Sequence, residues 1–125
     1  MDDLRPRFLN LTQIKFPVTA IVSIAQRISG VFLFIGLPVV LYALSCSLNA
    51  SESFNVIKNL ILTSVTTKVF VWLYVSAILF HIIGGLRHLI MDIGFLENLA
   101  VAKVTAHITF AITFICIIIL GAYLW

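Results

Sequence analysis

Three stretches without a single Asp, Glu, Lys or Arg dominate this chain. They run from Ile28 to Leu48 (21 residues), from Val69 to Leu86 (18 residues) and from Val104 to Trp125 (22 residues). A helix needs about 20 predominantly apolar residues to cross the hydrocarbon core of a bilayer, and each stretch meets that requirement once tilt is allowed. Pro38 falls inside the first stretch, where a membrane helix tolerates it. The pattern predicts an all-α integral membrane protein with three transmembrane helices. With their flanks, the spans are expected at about residues 23–48, 62–91 and 104–125 of a single membrane domain covering 1–125. Composition excludes the obvious competitor: 62% of the residues are apolar and 10% are charged, against about 25% charged in a soluble domain. A soluble globule of this size cannot hide that much apolar surface.

Charge in the connections sets the expected orientation. Arg5, Arg7, Lys15 and Arg27 precede or open the first span, and Arg87 and Lys103 lie between the second and third. Only Lys58 and Lys68 lie between the first and second. Cations favour the cytoplasmic side, so the N-terminus is expected in the cytoplasm and the C-terminus outside. Tyr123 and Trp125 close the third span as an interfacial aromatic anchor. The first apolar segment is too long for a signal-peptide h-region, and Asp2 and Asp3 are out of place in a transit peptide, so the N-terminus is expected to be retained. Residues 1–16, with Leu9, Leu11, Ile14 and Phe16 among polar neighbours, are expected along the membrane surface. The connections leave no room for a domain outside the membrane. Cys46 and Cys116 lack metal-site or disulfide spacing and read as small buried apolar residues. The cations do not cluster as a nucleic-acid-binding surface does.

Ionisable groups inside a span mark function by default. His81 lies within the second span. Seven residues on, almost two full turns, His88 falls on nearly the same face. Gly84 and Gly85, one turn past His81, allow close approach of another helix or of a flat cofactor. A neutral imidazole in a helix bundle is a good haem iron ligand. A histidine hydrogen-bonded to a neighbouring helix, or one in a proton relay, fits the same spacing. His88 is about 10 Å farther along the helix axis and cannot complete the same iron, which leaves His107 as the internal candidate for a second ligand. Ser23 and Arg27 share a face at the start of the first span. Together they suit a carbonyl-bearing ligand; alone, Arg27 also reads as a snorkelling helix anchor. Asp92 either pairs with Arg87 or His88 or faces water, and Glu97 reads as a solvated loop charge.

Two runs carry a family resemblance. Phe16-Pro17-Val18-Thr19-Ala20-Ile21, followed by Ser23-Ile24 and Arg27-Ile28-Ser29-Gly30-Val31, resembles the opening of the cytochrome b556 subunits of bacterial succinate dehydrogenase. His81-Ile82-Ile83-Gly84-Gly85-Leu86-Arg87-His88, continued through Asp92 and Gly94, resembles the second signature of that family. The resemblance covers nearly the whole chain. It implies one of two small hydrophobic anchors of respiratory complex II in the bacterial inner membrane, the two anchors forming a heterodimeric helix bundle beside an iron–sulfur subunit and a flavoprotein subunit. It further implies a haem b shared between the anchors, with His81 as one axial ligand and the other from the second anchor. His88 and Arg27 match residues near the haem propionates. Ser23, Arg27 and Ile24 match the ubiquinone site, and Arg87 has a supporting electrostatic role. Gln26 stands where the family motif often has histidine; glutamine donates hydrogen bonds but carries no charge at neutral pH.

Two other readings share these features. The anchor of a fumarate-reducing complex has overlapping architecture, and a purely structural anchor would hold His81 by a hydrogen bond without haem. A small multidrug-type transporter wants an acidic residue inside a span, and none of the three spans contains one.

Overall fold

The computed structural model describes residues 15–95 and 98–125. Among these the chain is helical throughout: α1 (Val18–Asn49), α2 (Ser51–Thr63), α3 (Val65–Asp92) and α4 (Leu99–Leu124). The three long helices, α1, α3 and α4, have the length and apolar composition to cross a membrane. They extend beyond the uncharged stretches because flanking residues such as Arg27 and Arg87 continue the helices. α1 runs through Pro38 without ending. Of the segment expected along the membrane surface, only Lys15 and Phe16 are among the described residues, and both are exposed; Glu97 also lies outside them.

The helix ends follow local chemistry. Pro17 precedes the first helical residue in an extended conformation, which suits a residue that cannot donate a backbone hydrogen bond. Asn98 caps α4, its side-chain oxygen accepting from the Ala100 amide at 2.9 Å. Beyond α3, Gly94 takes a positive φ of 88° and its amide bonds the Met91 carbonyl at 2.9 Å. Glycine enters that left-handed region without steric cost, which makes it a helix stop.

The segment expected as a plain connection between the first two spans instead contains α2, and Lys68 belongs to α3. Phe54, Ile57 and Ile61 recur at helical spacing, and all three line apolar space against the last turns of α1. A short helix with one apolar face satisfies its own backbone while covering a neighbour, which is why this segment folds rather than loops.

α3 is central, packing antiparallel against both α1 and α4. Two seams of different character result. Along α4 the buried stripe is Ala102, Ala106, Thr109 and Thr113, small residues at helical spacing that admit a close neighbour. Phe80 stacks on Phe110 with centroids 5.9 Å apart, and Trp72 donates to the Ile117 carbonyl at 3.2 Å. Along α1 the hydroxyl of Tyr74 donates to the Leu33 carbonyl at 3.1 Å. Its ring fills the space a side chain at Gly36 would need, with Cδ2 2.8 Å from the position of a Cβ there.

Few apolar side chains are buried: among the described residues the buried hydrophobics are Val22, Tyr74, Ala102 and Ala106. Large apolar residues such as Phe34, Ile35 and Tyr42 lie exposed. In lipid this costs nothing, because hydrocarbon tails solvate such side chains and helix association depends on packing and hydrogen bonds. Cys46 and Cys116 are both free and half-buried. A test of the α1–α3 packing is Gly36→Ala. Alanine gains about 1 kcal/mol of helix propensity, but its methyl collides with a buried, rigid ring, and overpacking costs about 1–3 kcal/mol. The variant is expected to melt earlier than wild type in mild detergent, and an equal or higher Tm would contradict the tight Gly36–Tyr74 contact.

Candidate functional site at the α1–α3 seam

His81 sits two turns beyond Tyr74 on the α1-facing side of α3. Its ring lies against α1: Nδ1 is 2.9 Å from the Ser29 hydroxyl, and Cε1 is 3.1 Å from where a Cβ on Gly30 would stand. The absence of a side chain at Gly30 is what lets the ring lie so close. Ser29 is buried and donates to the Gln26 carbonyl at 2.7 Å. The side chain of Gln26 makes a second tie, donating from Nε2 to the His81 carbonyl at 2.7 Å. The other ring nitrogen, Nε2 of His81, has no hydrogen-bond partner among the described residues.

Gly84 and Gly85 admit a neighbouring helix, with the Gln26 amide filling the space. A Cβ on Gly84 would collide with Gln26 Oε1, and one on Gly85 would lie 3.3 Å from Gln26 Nε2. Gln26 Oε1 is buried and has no hydrogen-bond partner among the described residues. Its orientation nonetheless follows from chemistry, because exchanging the two ends of the amide would set oxygen against the His81 carbonyl.

The other expected site residues separate into two groups. His88 continues the face of His81 and is partly buried. Ser23, Ile24 and Arg27 share one face of α1, at spacings of three and four residues. That face points away from the seam residues Val22, Gln26, Ser29 and Gly36. Arg27 and Ile24 are exposed there, Ser23 is partly buried, and Arg27 stands beside an open apolar hollow of about 360 Å³ lined by Ile28, Val31, Phe32 and Ile35. The fold thus brings His81 and His88 to one side of α1, and Ser23, Ile24 and Arg27 to another. His107 is exposed on α4, off that helix's buried stripe, whereas His81 turns toward α1.

Arg87 points to neither group. It is 5% exposed, and its guanidinium donates to Thr105 Oγ1 at 3.2 Å and to the Ala102 carbonyl at 3.0 Å. It ties α3 to the first turns of α4, and Asp92 lies exposed. A buried guanidinium is tolerable only where hydrogen bonds replace water, and the oxygens of α4 supply them. Sequence reasoning treated Ser29 only as part of a motif and did not find the Gln26 side-chain tie. The available signal was their common face: Gln26 and Ser29 are three residues apart, on the side of α1 that also carries Val22.

The transmembrane architecture and the seam around an intramembrane histidine agree with the comparisons to known proteins. The model of the family described as "Succinate dehydrogenase/Fumarate reductase transmembrane subunit" matches residues 1–120. The chain is also similar to the succinate dehydrogenase cytochrome b556 subunit of Coxiella burnetii (strain RSA 493 / Nine Mile phase I), with 40% identity over 125 residues, covering 100% of both chains. A match of this extent, on three helices fit to span a membrane, places the chain in the family of succinate dehydrogenase/fumarate reductase transmembrane subunits.

Proposed function

We propose that this chain is one of two hydrophobic anchors of a bacterial succinate:ubiquinone oxidoreductase, with an iron–sulfur and a flavoprotein subunit docked at the membrane face where α1 begins. In this reading His81 supplies one axial ligand to a haem b shared with the second anchor, and Ser23, Ile24 and Arg27 form part of the ubiquinone-reduction site. The supporting observation is the state of His81: its ring is held at Nδ1 by Ser29 against Gly30, while Nε2 has no hydrogen-bond partner among the described residues. A ring fixed through one nitrogen and open at the other is the arrangement metal-ligating histidines use. His88 and Arg27 are the candidates for the neighbourhood of the propionates.

Bound there, haem b supplies one-electron redox chemistry at a potential set by its axial ligands and surroundings. The chain's own residues act on the quinone. The exposed face of α1 offers a hydroxyl from Ser23 and a guanidinium from Arg27, both able to donate to quinone carbonyl oxygens. The positive charge of Arg27 favours the negative charge that develops on those oxygens during reduction. Ile24 and the adjoining apolar hollow suit the ring and the start of an isoprenoid tail. The balance of cations supports an N-terminus in the cytoplasm and a C-terminus in the periplasm, which puts this face toward an electron-delivering soluble partner. The family also includes fumarate-reducing anchors, and the same arrangement of groups serves either direction.

The test is a reduced-minus-oxidised optical spectrum of the complex purified through this chain in mild detergent, with ubiquinone reduction assayed alongside. A sharp b-type α-band, co-purifying with the two hydrophilic subunits and with succinate-driven ubiquinone reduction, is expected. An intact, active complex without haem would overturn the ligand role of His81. A chain that recovers neither haem nor partners would overturn the anchor reading.

A further inference from the structure

The hydrogen bonds around Ser29 determine which nitrogen of His81 carries the proton. A serine hydroxyl has one proton to give. That of Ser29 goes to the Gln26 carbonyl at 2.7 Å, a group that can only accept. The same oxygen lies 2.9 Å from His81 Nδ1, so in that contact it must accept, and Nδ1 must be the donor. A neutral imidazole has one N–H; the lone pair therefore resides on Nε2.

From this we propose that Ser29 is a positioning residue that fixes His81 in the Nδ1–H tautomer, presents Nε2 as the ligating atom and tunes the bound haem through the Nδ1–H bond. The proposal rests on the reading of His81 as an axial ligand. Three features of α1 act together in it. The Gln26 carbonyl takes the Ser29 proton, and a hydroxyl that donates in this way becomes a better acceptor. Gly30 clears the space beside Cε1 so that the ring can reach Ser29. Gln26 Nε2 holds the His81 backbone from the other side, 2.7 Å from its carbonyl. The part of the ligand's surroundings that sets its ring orientation thus comes from this chain alone. An acceptor at Nδ1–H shifts electron density toward Nε2, makes the imidazole more basic and stabilises the oxidised iron.

The test uses the complete complex with Ser29→Ala and Ser29→Thr, read by haem content, haem midpoint potential, the low-spin EPR signal and thermal stability. Ser29→Ala is expected to retain haem at a more positive midpoint potential with shifted low-spin g values. Ser29→Thr, which keeps the hydroxyl, is expected to return both toward wild type. If Ser29 only ties the helices together, Ser29→Ala lowers thermal stability but moves neither potential nor g values, and the proposal is overturned. Should Ser29→Ala fail to load haem, the threonine variant decides: loading at the wild-type potential sustains the proposal, and failure overturns it. A His81→Ala complex that keeps its low-spin haem would instead remove the ligand reading itself.

Discussion

Replacing His81 by alanine is expected to abolish the b-type α-band of the purified complex while the three long helices remain assembled. Both halves of that expectation follow from the seam. The tie from Gln26 reaches the backbone carbonyl of residue 81 rather than its side chain, so it survives the substitution. Ser29 keeps its bond to the Gln26 carbonyl, so its hydroxyl proton remains satisfied. What disappears is the imidazole, and no other described histidine can replace it. His88 lies about 10 Å farther along the axis of α3, and His107 is exposed on α4. The remaining cost is a void of side-chain size, about 1–3 kcal/mol if it stays unfilled. Haem content per complex and helical content by circular dichroism separate the two effects. An α-band of unchanged position and intensity would refute axial ligation by His81.

Arg27→Ala is expected to have the opposite profile, with haem retained and quinone chemistry lost. Arg27 is exposed, and its guanidinium has no hydrogen-bond partner among the described residues of its own chain, so truncation takes nothing from the helix packing. Removing a donor that stabilises charge in a water-poor site lowers turnover by roughly 10²- to 10³-fold. Succinate-driven ubiquinone reduction should fall by about that factor, while succinate oxidation measured with a soluble artificial acceptor stays at wild-type level. Arg27→Lys keeps the charge but loses the planar fork of donors and should recover only part of the rate. If Arg27 serves only as a snorkelling anchor for α1, both activities stay unchanged, and its assignment to the quinone site fails.

The two levels of organisation differ in how far the residues alone reveal them. Membrane spanning is a property of single segments: Ile28 to Leu48 has no charge to hide, and no partner is needed to see it. α2 escaped that reasoning because Glu52 and Lys58 break its apolar run. Its order comes from laying Phe54, Ile57 and Ile61 against α1, a tertiary event. At the site, the depth of His81 and the common face of Ser23, Ile24 and Arg27 follow from helical periodicity. The role of Arg87 does not. As a charge near a helix end it suggested electrostatic service to a ligand, whereas the fold spends its donors on Thr105 and the Ala102 carbonyl. Likewise, nothing in the local sequence says that Ser29 faces His81. That depends on the register of two antiparallel helices whose facing residues are separated by 52 positions.

The α1–α3 register has a consequence for how such chains can diverge. At one level α3 contributes the bulk and α1 the gap, with the Tyr74 ring over Gly36; at another the roles reverse, with the Gln26 amide over Gly84. Neither glycine can drift independently. A lineage that enlarges residue 36 must first shrink residue 74, and one that enlarges residue 84 must shorten or redirect residue 26. Inheritance at these positions is therefore paired, and homologues should change size there two sites at a time.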